Sequence, residues 1–78
     1  MSIYELPYFS TGLSQDKLNK IEELLLPYFE GGEKAGDPVT VLKLSYSINV
    51  KKSDVIFLID AKSEYQAREF VKKFLNIK

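Results

Sequence analysis

Residues 40–59 read TVLKLSYSINVKKSDVIFLI, and this stretch decides the fold. From Thr40 to Val50 apolar and polar side chains alternate: Leu42, Leu44, Tyr46, Ile48 and Val50 share one side, and Lys43, Ser45, Ser47 and Asn49 share the other. A period of two is the mark of a strand with one buried face. Lys51 to Asp54 form a polar turn, after which Val55 to Ile59 are apolar without interruption, as in a strand covered by neighbours on both sides. A β-hairpin follows. With Val50 opposite Val55, Ile48 falls beside Phe57 and Tyr46 beside Ile59 on the core face. Ile56 and Leu58 then point the other way, next to Asn49 and Ser47, where they need a cover or a partner.

Working outward, Ser63 and Gln66 have the spacing of a capping box, and Ala67, Phe70, Val71, Phe74 and Leu75 form an apolar stripe at helical intervals. A helix therefore runs from there nearly to the last residue. Upstream, Gly12 marks a break and Ser14 is a helix N-cap with Asp16 in the first turn. Leu13 and Leu18 are spaced as a hydrophobic staple. Leu18, Ile21, Leu24, Leu25 and Tyr28 make the apolar face of this first helix, which Pro27 ends or kinks near Leu26. Before it, Ser2 to Leu6 reads as a short strand, with Pro7 suited to a strand end or an edge. Glu30 to Pro38, EGGEKAGDP, holds three of the four glycines and no large apolar group, and is predicted to be a mobile loop.

The order β-α-β-β-α, with a right-handed crossover and a hairpin, places the third strand between the other two. The expected fold is a single α+β domain over residues 1–78: a two-layer sandwich with a three-stranded antiparallel sheet, order 1-3-2, and two helices on one face. No fourth strand follows the last helix to flank the first strand, so the outer edge of that strand is expected to be open. Such an edge in a small domain is commonly closed by a second chain.

Composition narrows the chemistry. Eleven basic and eleven acidic side chains balance, so no field draws a phosphate backbone or an anionic membrane. The absence of cysteine and histidine removes disulfides, thiolate metal sites and the commonest general base. No apolar run reaches the ~20 residues that span a bilayer, and the first residues lack the pattern of a signal peptide, which places the chain in the cytoplasm. The glycine-rich segment lacks phosphate-loop spacing, with Asp37 after Gly36 where a lysine is needed. Asp54 and Asp60, six residues apart on a strand, stand about 20 Å from each other, too far to share a metal or a proton. Tyr46 carries no RNA-stacking signature around it and lies on the core face; the cluster Tyr4, Tyr8 and Phe9 fits a core and an interface equally well. Arg68 lies one turn after Glu64, and Lys72 and Lys73 suit a helix C-terminus. Nothing here calls for a catalytic residue, a cofactor or a metal.

The stretch Val55 to Leu75, VIFLIDAKSEYQAREFVKKFL, resembles the end of the third strand and the last helix of the Pcc family, the small dimerising subunit of the KEOPS complex. That family carries a pattern close to Ala-x-Asp-x-x-x-Leu-Arg-x-x-Val-Asn-Ser-Tyr-Leu. Ala61, Arg68, Val71, Phe74 and Leu75 fall on its alanine, arginine, valine, tyrosine and leucine, while Ser63 stands at its aspartate and Lys72 and Lys73 replace its Asn-Ser pair. The residue match covers the last quarter of the chain; length and element order match throughout.

The resemblance implies a non-catalytic subunit in the formation of threonylcarbamoyladenosine in tRNA, touching tRNA only indirectly. Two long cations should weaken docking on the family's catalytic subunit. The expected protein is thus a diverged paralogue that pairs with the related small subunit, or with itself, through Ile3, Tyr4, Leu6, Ile56, Leu58, Arg68, Lys72 and Lys73. Two other classes stay open. One is a homodimeric nucleic-acid-binding module aligning Lys51, Lys52, Lys72 and Lys73 across a pair. The other is a small-molecule regulatory domain using residues 31–38 as a lid.

Overall fold

A computed structural model describes residues 2–10, 13–48 and 51–75. Strand β1 spans Ser2–Ser10, helix α1 Gln15–Leu25 with a 3-10 turn at Leu26–Tyr28, β2 Thr40–Ile48, β3 Ser53–Ala61 and α2 Glu64–Leu75. The sheet order is β1-β3-β2 with both pairings antiparallel, and the two helices cover one face, as the alternation and capping signals predict.

Both helices begin where their caps place them. Ser14 Oγ accepts the Lys17 N–H at 3.2 Å, and Leu13 and Leu18 on either side of that cap are buried. Ser63 Oγ accepts the Gln66 N–H at 3.1 Å, while Gln66 Oε1 reaches back to the Lys62 N–H at 3.1 Å. Regular α1 stops at Leu25 because Pro27 has no N–H to give the carbonyl four residues back. The core lies between helices and sheet: Leu18, Ile21 and Leu25 of α1, Ala67, Phe70 and Val71 of α2, Leu6 of β1, and Val55, Phe57, Ile59 and Ala61 of β3 are all buried. Tyr28, from the 3-10 turn, packs edge-on against Phe70, ring centroids 4.9 Å apart. Leu24, predicted to join the apolar face, is exposed.

The backbone departs from the sequence reading in four places. First, β1 continues past Leu6 to Ser10, with Pro7 opposite Ile56. A proline is accommodated in an edge strand where its missing N–H would face away from the neighbour, so it does not end the strand here. Second, Val55 faces Tyr46, four residues short of Val50, and Phe57 faces Leu44. The strand starts early because Ser53 is drawn inside: its side chain is buried and its Oγ donates to the Leu13 carbonyl at 3.1 Å. A four-residue shift preserves which face each residue occupies. Gly12, Asn49 and Val50, assigned to the break and the hairpin, lie outside the described residues.

Third, a bulge between Val41 and Lys43 changes the phase of β2. Val41 is fully buried opposite Ile59, Leu42 is only half-buried, and Tyr46, predicted to sit in the core, is 41% exposed at its rim. Fourth, residues 30–38, predicted to be a mobile loop, form hydrogen-bonded turns. The Lys34 N–H donates to the Pro27 carbonyl at 2.8 Å, Gly32 N–H to Phe29 at 2.7 Å, and Gly36 N–H to Val39 at 3.0 Å. The anchor is the end of α1, which a local count of glycines does not register. Gly32 lies so close to it that a Cβ would come within 2.8 Å of the Pro27 carbonyl carbon. Just before these turns Phe29 bridges in parallel to Val41, and the Glu30 N–H reaches the Val41 carbonyl at 3.3 Å.

Gly32→Ala is expected to lower stability by about 1–3 kcal/mol because the Pro27 backbone must move. Ser63→Ala is expected to lower it by about 1 kcal/mol through loss of the α2 cap. Urea denaturation checks both: each midpoint falls while the slope stays that of the parent.

Candidate interaction surface

Because strand side chains alternate, the side of β3 that is not in the core presents Asp54, Ile56, Leu58 and Asp60. The register adds a neighbour from each flanking strand. Across the sheet the rows are Ile3, Asp60, Thr40; Glu5, Leu58, Lys43; Pro7, Ile56, Ser45; and Phe9, Asp54, Ser47. Ile3 is 61% exposed, Phe9 68% and Ile56 38%, while Leu58 is half-buried among its neighbours. The result is an apolar face with charged corners and, among the described residues, no helix over it. Lys52, from the hairpin, places its Nζ 4.8 Å from the centre of the Phe9 ring. Ser45, Ser47, Asp54 and Ile56 border a shallow hollow of about 300 Å³ together with Tyr46.

The carboxylates on this face are incompletely served. Asp54 Oδ1 and Asp60 Oδ1 are shielded from solvent and have no hydrogen-bond partner among the described residues. A buried acceptor without a donor carries a desolvation penalty. Far apart on one strand, the two do not form a common centre, and among the described residues no cluster of acidic side chains could hold a metal ion.

The residues named from sequence sort into three environments. Ile3, Ile56 and Leu58 lie together on the open face, where the alternation placed the latter two. Leu6 does not belong with them: it is 1% exposed, opposite Phe57, and its assignment to an interface gives way to a place in the core. Tyr4 is half-buried on that same inner side, opposite Ile59. Of the aromatic cluster, Tyr8 packs edge-on against Phe57 with centroids 5.9 Å apart, and only Phe9 turns outward. Sequence reasoning left Phe9 undecided; its odd number, shared with Ile3 in a strand extended through Pro7, is the signal that places it.

Arg68, Lys72 and Lys73 are on the exposed side of α2, on the far layer from the open face. Arg68 Nε lies 3.5 Å from Glu64 Oε2, an exposed pair worth at most a few tenths of a kcal/mol. Lys73 borders a second hollow of about 250 Å³ with Pro38, Tyr65, Gln66, Glu69 and Phe70. The structure thus separates the eight residues into a sheet surface, a core and a helix surface.

The division between core and surface has a direct check. Leu6→Ala is expected to lower stability by about 2–5 kcal/mol, as for a large-to-small change in a packed interior. Ile3→Ala, two residues away, is expected to stay within about 0.5 kcal/mol of the parent in the same denaturation experiment.

No protein-family description, no curated protein and no solved structure matches this chain, and the chemistry of the surface rests on its own residues.

Proposed function

We propose that this chain is a non-catalytic assembly subunit of the KEOPS type, acting in the cytoplasm in the formation of threonylcarbamoyladenosine in tRNA and pairing with a related small subunit or a second copy of itself. The observation that carries the pairing is the outer edge of β1. This strand is nine residues long, lies at the margin of the sheet and has no neighbour on that side among the described residues. An edge of that length is a template for strand addition. The opposite margin is less suited, since β2 is bulged at Val41/Lys43 and already bridged there by Phe29.

The β-α-β-β-α order and the alignment of Ala61, Arg68, Val71, Phe74 and Leu75 with the Pcc pattern support the assignment to that assembly. Among the described residues no helix is long and apolar enough to cross a membrane. Lys72 and Lys73 are exposed on α2, where they replace the Asn-Ser pair, so the partner that meets this helix has to accommodate two cations. This favours a subunit that fills one half of a dimer and limits recruitment of a second catalytic subunit.

Mixing the chain with a Pcc-family subunit and measuring mass by light scattering tests the pairing: a one-to-one complex is expected, and two populations that never mix would remove it. Pro7→Val restores an N–H to β1 and is expected to tighten the complex several-fold. Affinity for tRNA alone is expected to be weak, whereas strong binding that falls steeply with salt would favour a nucleic-acid-binding module instead.

A further inference from the structure

The open face carries a pattern that is symmetric in side-chain type about Phe57, acidic, aliphatic, aliphatic, acidic: Asp54, Ile56, Leu58, Asp60. On a strand the two carboxylates are about 20 Å apart, with the two aliphatic side chains between them. Stacking two copies face to face about a two-fold axis at Phe57 would set Ile56 on Leu58 of the other copy. It would also set Asp54 against Asp60 of the other copy, at both ends. Hydrophobicity matches in such a pair, but charge does not, and like charges held together out of water oppose association.

The rest of the face adds to the mismatch. Glu5 contributes a third carboxylate, and Lys43 is the one ammonium carried by the described strands on this side; Lys52 at the hairpin is over Phe9. Asp54 and Asp60 each also have one shielded oxygen without a donor. Neither Lys43 nor Lys52 lies within ion-pair distance of them, since the pair between Arg68 and Glu64 is the only one among the described residues.

We propose that the open sheet face docks a second protein whose contact surface is an apolar patch between two cationic side chains about 20 Å apart, and that the same carboxylates keep two copies of this chain from stacking there. The apolar centre, Ile56 and Leu58 with Ile3, Pro7 and Phe9 around them, supplies the buried area. Asp54 and Asp60 choose the partner. Cations from that partner meet the accessible part of two half-buried carboxylates that form no ion pair among the described residues. This surface is the face of the sheet, not the β1 edge assigned to pairing above, and it stands or falls separately.

A copy of the chain carrying Asp54→Lys and Asp60→Lys is a partner of the required chemistry and serves as the probe. Mixed in equal amounts with the parent, it is expected to give a species of twice the mass that either forms alone in sedimentation. Ile56→Lys in either component should abolish that species, and 0.5 M salt should weaken it more than tenfold. A mixture no heavier than its components, or a heavier one indifferent to Ile56→Lys, overturns the proposal. Asp54→Asn with Asp60→Asn gives an independent reading should the lysine variant fail to fold: it is expected to self-associate at least tenfold more tightly than the parent, again through Ile56. Self-association equal to that of the parent overturns the proposal, and edge pairing through β1 would survive that result.

Discussion

The central strand is the element on which every other placement depends. β3 hydrogen-bonds to β1 on one side and β2 on the other, and its alternate residues Val55, Phe57, Ile59 and Ala61 are buried under both helices. Because the helices occupy a single face, the intervening residues of the same strand are committed to the opposite one by the pleat alone. The interior and the exposed sheet surface are therefore two readings of one nine-residue segment. A shift of β3 by a single position would turn Phe57 out and Asp54 and Asp60 into the core. That is a strong constraint, since it would leave two carboxylates buried without partners.

What holds the segment in phase is only partly hydrophobic. The hydroxyl of Ser53 on the Leu13 carbonyl ties the start of β3 to the entry of α1, forty residues earlier in the chain. The capping pair at Ser63 and Gln66 fixes where α2 leaves the end of β3. Between these two points the strand has little freedom to slide. The aromatic contacts among Tyr28, Phe70 and Phe74 then draw the 3-10 turn and α2 together.

Elements governed by local chemistry were legible from residue spacing: the two caps, the proline stop, the unbroken run Val55–Ile59 and the strand order. Features set by contacts distant in sequence were not. The hairpin register shifted because Ser53 answers to Leu13, and the turns at 30–38 are organised by the Pro27 carbonyl. The bulge at Val41/Lys43 replaced strict alternation without a glycine or proline to announce it. On the candidate surface, Ile56 and Leu58 followed from parity in a strand correctly identified. Phe9 stays open because the sequence reading ends β1 before Pro7, which leaves no parity to apply there, whereas parity within Ser2–Leu6 already separates Leu6 from Ile3 and goes unused. Whether an oxygen of Asp54 or Asp60 lacks a donor is a matter of packing, and no spacing rule reports it.

The contact of Phe29 with Val41 bears on how large an assembly of this chain can grow. Its own backbone plugs the start of β2, and the adjacent bulge bends that margin away from a flat ladder. A sheet with two equivalent margins can polymerise without limit, as fibrils do; one with a single receptive margin is saturated after one addition. In the pair proposed through β1, the margins turned outward would be the two β2 strands, each bridged at Val41 by Phe29 and bent by the bulge, which disfavours further addition there.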